Sequence, residues 1–372
     1  MNQKIVIIGC GIIGAAIAYE LSLIKGLKIT VIEQSQKPAS ASTGAALGVL
    51  MGIISHKKQG RGWRLRETSI QRYGSLISEL VAQTGIDIPV NHLGIVKILF
   101  AADNVEKWHK LQKVRASQGW RLEMWDLEHL HQQCPQINLD NNQIIGAVYS
   151  PQDQQINPTK LTEALVMAAT QNGAEFHFGV KCHDFERQNI EDNLARCDRL
   201  KTTAGEMDSD YVIISAGLGS TPLTAALQQA IDIRPVLGQA LKFKLDNYLG
   251  KPDFQPALTG DDIHIVPLNN REYWLGATVE FPSDTGEVIA DANLLATVKN
   301  KAIAFCPALA DATILEIWSG KRPRPEGITA PIIGHLPQYN NVILATAHYR
   351  NGVLLAPATA LEIKSLIMNK FS

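Results

Sequence analysis

The chain has 372 residues, 35 Lys and Arg against 36 Asp and Glu, a formal net charge of −1 and 45% hydrophobic residues. That length corresponds to about two domains of ~150 residues, enough to bury a core without a disulfide or metal staple. The balanced charge, with no long basic run, disfavours a nucleic-acid footprint, and the apolar content argues against disorder.

In chain order, residues 4–8 are apolar and β-branched and end at Gly9, as a short buried strand does. Ile13, Ile17 and Leu21 then fall on one helical face, and Gly26 stops the helix. Residues 28–32 read as a second strand, which completes a βαβ unit of about 30 residues. Residues 39–52 are rich in Ser, Thr, Ala and Gly, and form either a flexible loop or a segment packed against a ligand. Helices are expected over 62–84, 103–118 and 126–133, with a strand at 94–100 between the first two. Asn157-Pro158 is a cap followed by a proline at the first helical position, and that helix runs to Gly173. Strands follow at 175–180 and 211–215, the latter ending in Ala216-Gly217. Residues 234–318 are strand-rich and alternate apolar with polar, as in Leu241-Lys242-Phe243-Lys244, with one helix near 291–305. A last strand is expected at 341–347 and a last helix at 352–368. Parallel-type units at both ends and in the middle, with antiparallel-type strands between, imply two domains that the chain visits alternately.

Cys10, Cys134, Cys182, Cys197 and Cys306 show neither C-x-x-C nor finger-like Cys/His spacing, so no metal site is expected. Their odd, scattered number fits a reducing compartment, and the cytoplasm is the expected location. The apolar start after Lys4 is interrupted by glycines and lacks a cleavage site, so it does not read as a signal peptide. No apolar stretch reaches ~18 residues, so no transmembrane helix is expected.

Gly9-Cys10-Gly11-Ile12-Ile13-Gly14 matches G-x-G-x-x-G between a strand and a helix, and Glu33 closes the next strand. This pattern binds a dinucleotide: the glycines admit a pyrophosphate to the helix N-terminus, and the carboxylate accepts ribose hydroxyls. Glu33, with Gln34 beside it, would repel a 2′-phosphate. The motif reads only the ADP half and leaves FAD and NAD open.

The run from His348 to Thr359, HYRNGVLLAPAT, resembles the final flavin-contacting turn of the glycine oxidase and D-amino-acid oxidase family. Trp318-Ser319-Gly320-Lys321-Arg322-Pro323 is similar to that family's segment carrying the substrate-carboxylate arginine. Ile265-Val266-Pro267 with Leu275-Gly276-Ala277-Thr278 resembles its substrate-domain hairpin, and residues 43–48 resemble its flavin-covering loop. The resemblance is in register along nearly the whole chain. It implies an α/β fold: a Rossmann-like FAD-binding domain (1–85, 145–218, 319–372) with an interleaved α+β substrate domain (86–144, 219–318) on a largely antiparallel sheet.

The resemblance further implies non-covalent FAD, since residues 321–327 lack the cysteine through which related sarcosine oxidases attach flavin. It places Gly9, Gly11, Ile12, Ile13, Gly14, Glu33 and Gln34 on the ADP half, and Val180 against the adenine. Ser42, Thr43, Ala46, Leu47, Ala216 and Gly217 fall beside the cofactor. Arg350, Asn351, Gly352, Val353 and Leu354 fall at the flavin's pyrimidine edge. Arg322 matches the carboxylate clamp, against the alternative of a surface salt bridge. The family's usual tyrosine before Ile-Val-Pro is His264 here, so the second carboxylate anchor stays open among His264, Tyr349 and Tyr273. The implied reaction is oxidative deamination of a small amino acid or amine, with hydride transfer to the flavin, imine hydrolysis, and reoxidation by oxygen or another acceptor. An NAD-dependent dehydrogenase, a dehydrogenase using a non-oxygen acceptor and a flavin-bound non-catalytic module are the alternatives. Homo-oligomerisation stays open.

Overall fold

The computed structural model describes residues 3–140, 143–190, 194–283 and 286–369. Met1, Asn2 and residues 370–372, which open and close the expected cofactor domain, lie outside them.

One sheet has six strands in the order Ile332–His335, Val342–Thr346, Tyr211–Ile214, Gln3–Ile8, Leu27–Glu33 and Glu175–Phe178. Every neighbouring pair is parallel except the edge pair of Ile332–His335 with Val342–Thr346. The central strands are apolar on both faces because both faces are covered. The chain leaves Gln3–Ile8 toward Leu27–Glu33 on one side and toward Tyr211–Ile214 on the other. That reversal opens a crevice at the carboxyl ends of the strands, where open α/β sheets bind ligands.

Helices Ile12–Ser22, Gly60–Thr84, Pro158–Gln171 and Gly352–Met368 share one core on one face of this sheet. Ile12–Ser22 is buried almost all round, which its small residues Gly14, Ala15, Ala16 and Ala18 permit. Gly85 ends the long second helix at φ +70°, a left-handed stop that suits glycine. The opposite face carries a three-stranded antiparallel sheet of Cys182–Asn189, Ala195–Thr202 and Gly205–Asp208. The sequence reading left these strands out. Their charged residues hide a thin apolar face of Cys182, Phe185, Cys197 and Leu200, which packs on the main sheet only in the folded chain.

The second large sheet has eight strands. It is antiparallel apart from Ala257–Gly260 beside Ile95–Phe100. Its edge is a long ribbon, Ile233–Lys244 against Thr313–Pro325, that reaches from this sheet to the crevice of the first. The α/β architecture with a largely antiparallel second sheet is therefore present. The boundaries expected at 144/145 and 318/319, however, fall inside strands Ile144–Ser150 and Thr313–Pro325, both of the eight-stranded sheet. Residues 220–233 carry Leu223, Leu227, Ile231 and Ile233 into the first sheet's core rather than the second's. Turn and glycine signals mark the ends of strands, whereas the partner sheet is decided by pairing between distant segments.

All five cysteines are buried and free. No helix among the described residues is long and apolar enough to cross a membrane.

Candidate active site

A continuous cavity of about 610 Å³ runs along the crevice from Gly11 and Glu33 to Arg322 and His264. Its first end is the glycine turn. Gly9 has φ +103°, and a Cβ there would lie 2.8 Å from the Ser215 carbonyl oxygen. A Cβ on Gly14 would lie 1.9 Å from the Gly9 carbonyl oxygen, so this glycine serves the close packing of helix on strand. The Ile12 N–H donates to Thr43 Oγ1 at 3.0 Å, and the first helical bond is Ala15 N–H to the Gly11 carbonyl. The Ile13 N–H thus precedes the helical ladder, at a wall of the cavity. Glu33 accepts from the Cys10 and Ser35 N–H groups at 2.8 and 2.9 Å, which fixes its carboxylate at the rim. Burial, then the charge of Glu33, push the Cys10 thiol far up, so it acts as a packing residue.

The other end is organised by three segments tied together. Helix Gly352–Met368 begins its ladder with Leu355 N–H to the Asn351 carbonyl, which leaves the Gly352, Val353 and Leu354 N–H groups ahead of it at the cavity wall. The Tyr349 N–H donates to the Pro323 carbonyl at 3.1 Å, which joins that turn to the arginine strand. Ser42 Oγ donates to the Lys321 carbonyl at 2.6 Å and Trp318 Nε1 to the Ala45 carbonyl at 3.1 Å, which join the covering loop to the same strand.

Arg322 projects from that strand opposite Val236. Its Nη1 donates to the Leu237 and Thr278 carbonyls, both at 3.1 Å. Among the described residues no carboxylate lies within ion-pair distance of it, so a part-buried guanidinium presents its charge to the cavity. Burial, then the like charge of Arg350, pull its pKa below the ordinary arginine value. His264 lies on Ile263–Pro267 and faces the same space, with Nδ1 buried and unpartnered. Burial, then Arg350, lower its pKa to about 4, so it is neutral at pH 7.

Of the residues singled out from sequence, Gly9, Gly11, Ile12, Ile13, Glu33, Gln34, Ser42, Thr43, Ala46 and Leu47 line this one cavity. So do Ala216, Gly217, His264, Arg322, Tyr349, Arg350, Gly352, Val353 and Leu354. Four do not line it. Tyr273 is buried in the core of the second sheet, where its hydroxyl accepts from the Leu249 N–H at 2.8 Å and donates to Gln255 Oε1 at 3.0 Å. Gly14 packs on Gly9, Val180 donates its N–H to the Glu33 carbonyl, and Asn351 accepts from Arg66 Nη2 at 3.3 Å. Sequence reasoning missed Gly238, which lies under the Arg322 guanidinium, and Asp262, which pairs with Arg350. A glycine inside the strand Leu237-Gly238-Gln239 is the signal that marks such a close approach. Asp262 carries no comparable signal.

A model of the DAO family, described as FAD dependent oxidoreductase, matches residues 4–366. The chain belongs to this family. The glycine oxidase of Bacillus subtilis (strain 168) is 30% identical over 369 residues, covering 99% of this chain and 94% of that protein. The bifunctional protein ThiO/ThiG of Synechocystis sp. is 31% identical over 375 residues, and the chain spans about half of it, 52%. The crystal structure of glycine oxidase from Bacillus cereus superposes with a TM-score of 0.85 at 26% identity, covering 99% of this chain and 95% of that one. L-proline dehydrogenase from P. horikoshii shares the fold, with a TM-score of 0.82 at 21% identity.

As an FAD-dependent oxidoreductase of the DAO family, the chain takes FAD, and the cavity suits it. A carboxylate rim and an open helix N-terminus stand at one end, and a second open helix N-terminus at the other. The chain is an enzyme acting on the C–N bond of an amino acid or amine.

Proposed function

We propose that the chain oxidatively deaminates a small amino acid or amine bearing a carboxylate, as its glycine oxidase relatives are named for doing with glycine. The observation that carries this reading is the Arg322 guanidinium, with no carboxylate partner among the described residues, at the His264 end of the cavity. Its planar fork suits a carboxylate.

FAD, when bound, supplies the hydride acceptor. The chain supplies position: Arg322 holds the carboxylate, and its two carbonyl contacts fix where the α-carbon lies. Neutral His264 lines the cavity and offers its imidazole to the substrate, in the place of the family's usual tyrosine hydroxyl. Tyr349 stands beside the arginine strand as the alternative partner. With FAD bound, the helix opening at Gly352 would offer its positive end to charge that grows on reduction. No side-chain base is needed once the substrate amine has lost its ammonium proton to solvent, and the imine product hydrolyses after release.

Reoxidation is by oxygen, giving hydrogen peroxide, or by another acceptor. The free buried cysteines support a cytoplasmic location. Anaerobic mixing of the flavin-loaded protein with glycine, sarcosine and both enantiomers of common amino acids tests the reading. Bleaching of the flavin absorbance by at least one is expected, and bleaching by none overturns it.

A further inference from the structure

Two guanidinium groups, Arg322 and Arg350, face the same end of the cavity, and only one has a carboxylate partner. Arg350 makes a two-pronged contact with Asp262: Nη1 to Oδ2 and Nη2 to Oδ1, each at 2.9 Å. One N–H on each terminal nitrogen of Arg350, and the charge of its guanidinium, are therefore committed to Asp262. Arg322 spends Nη1 on two neutral carbonyls and, among the described residues, has no carboxylate at ion-pair distance.

Asp262 is placed for this contact by the backbone. It follows Asp261 in the two-residue turn between Ala257–Gly260 and Ile263–Pro267, and both have positive φ, +48° and +62°. Such a turn needs left-handed residues, which Asp and Asn tolerate. It also sends consecutive side chains apart: Asp261 meets Lys301 at 2.7 Å, while Asp262 reaches across the mouth to the turn before the last helix. Burial works against the Arg350 cation, but the hydrogen bonds and charge of Asp262 outweigh it. The charged and titratable groups facing Asp262 are Arg350, then His264 and Lys97.

We propose that Asp262 sets substrate specificity by sequestering Arg350, so that the cavity offers one free guanidinium and selects amines with a single carboxylate over dicarboxylic ones. This rests on the reading of Arg322 as the carboxylate clamp. Without the Asp262 charge, Arg350 becomes a second anion anchor beside the first, and the site takes a substrate with two carboxylates.

Methoxyacetate and oxydiacetate test this, because these ether acids differ by one carboxylate and carry no amine to oxidise. Binding to the flavin-loaded protein is read from the flavin absorbance change, for wild type, Asp262→Asn and the double variant Asp262→Asn/Arg350→Leu, with flavin content measured for each. Asparagine keeps the turn conformation and removes the charge. Wild type should bind methoxyacetate at least as tightly as oxydiacetate. In Asp262→Asn the ratio of the oxydiacetate to the methoxyacetate Kd should fall at least tenfold, and the double variant should lose that gain. A ratio unchanged within twofold in Asp262→Asn, a gain that survives in the double variant, or a tenfold wild-type preference for oxydiacetate overturns the proposal. Wild type that binds methoxyacetate but is bleached by no amine overturns the catalytic reading and leaves the role of Asp262 standing. Binding of neither acid by any variant overturns both.

Discussion

Gly238 lies directly beneath the guanidinium of Arg322: a Cβ at position 238 would meet the Arg322 Nη and Cζ atoms within 2.5 Å. The two residues sit on paired strands, Gly238 opposite Gly320 and Arg322 opposite Val236, and the missing side chain makes the space in which the guanidinium lies flat. Gly238→Ala is therefore expected to displace Arg322. We expect KM for the amine substrate to rise roughly tenfold or more, with flavin still bound, since one misplaced charged contact costs on the order of 1.5–3 kcal/mol. Steady-state kinetics alongside flavin content check this, and an unchanged KM refutes it.

Arg322→Ala removes the charge itself. Flavin content should match wild type, while KM rises about 100-fold, the larger loss expected when an anionic carboxylate has no counter-charge. Arg322→Lys should recover only part of this, because an ammonium cannot reproduce the planar fork. An unchanged KM in Arg322→Ala would remove the arginine from the substrate site.

Gly14→Ala should abolish flavin binding, because its Cβ would stand 1.9 Å from a main-chain oxygen that cannot move without opening the glycine turn. The purified protein is expected to be colourless or to hold less than about a tenth of the wild-type flavin. A yellow, stoichiometric holoprotein would contradict it.

Asp153 is fully buried and accepts four hydrogen bonds: from the Gly52, Ile53 and Ile54 N–H groups and from Ser150 Oγ, at 2.8–2.9 Å. Burial raises its pKa, and these donors pull the other way. Asp153→Asn keeps the shape but turns a donor toward donors, so it should cost about 2–4 kcal/mol. Urea unfolding of the two proteins measures it, and equal midpoints would refute it.

His348 is buried and shares a hydrogen between Nε2 and Thr359 Oγ1 at 2.9 Å. Burial, then Arg61, lower its pKa to about 3, against about 6.5 in an unfolded chain. Below pH ~6.5 the unfolded chain takes up a proton that the folded chain refuses, so stability is full above that pH and falls as pH drops toward 3. The slope is at most about 1.4 kcal/mol per pH unit for this group. His348→Gln should lose less stability than wild type between pH 7 and 5 in urea titrations. Equal losses would place the acid sensitivity elsewhere.

Local chemistry made much of the fold legible. Asn157 caps its helix by accepting from the Lys160 N–H, Gly85 closes another, and the last helix spans Gly352–Met368 as expected. The 182–208 sheet was not legible, since its apolar face is one to three residues per strand and its charges dominate any short window. Nor were the boundaries, because Ile144–Ser150 and Thr313–Pro325 are assigned to a sheet by their partners.

The sequence by itself determined the dinucleotide turn, the cofactor class through a family resemblance, and the arginine that faces the cavity. The first is a local pattern in which spacing carries the chemistry; the other two rest on segments that resemble the family's. Only the tertiary structure decided which charges remain free. Arg322 and Arg350 are both arginines in the chain, but a turn at 261–262 and a neighbouring glycine at 238 leave one unpaired and neutralise the other. Charge compensation depends on distances across paired strands and a domain mouth, and such distances are set by folding.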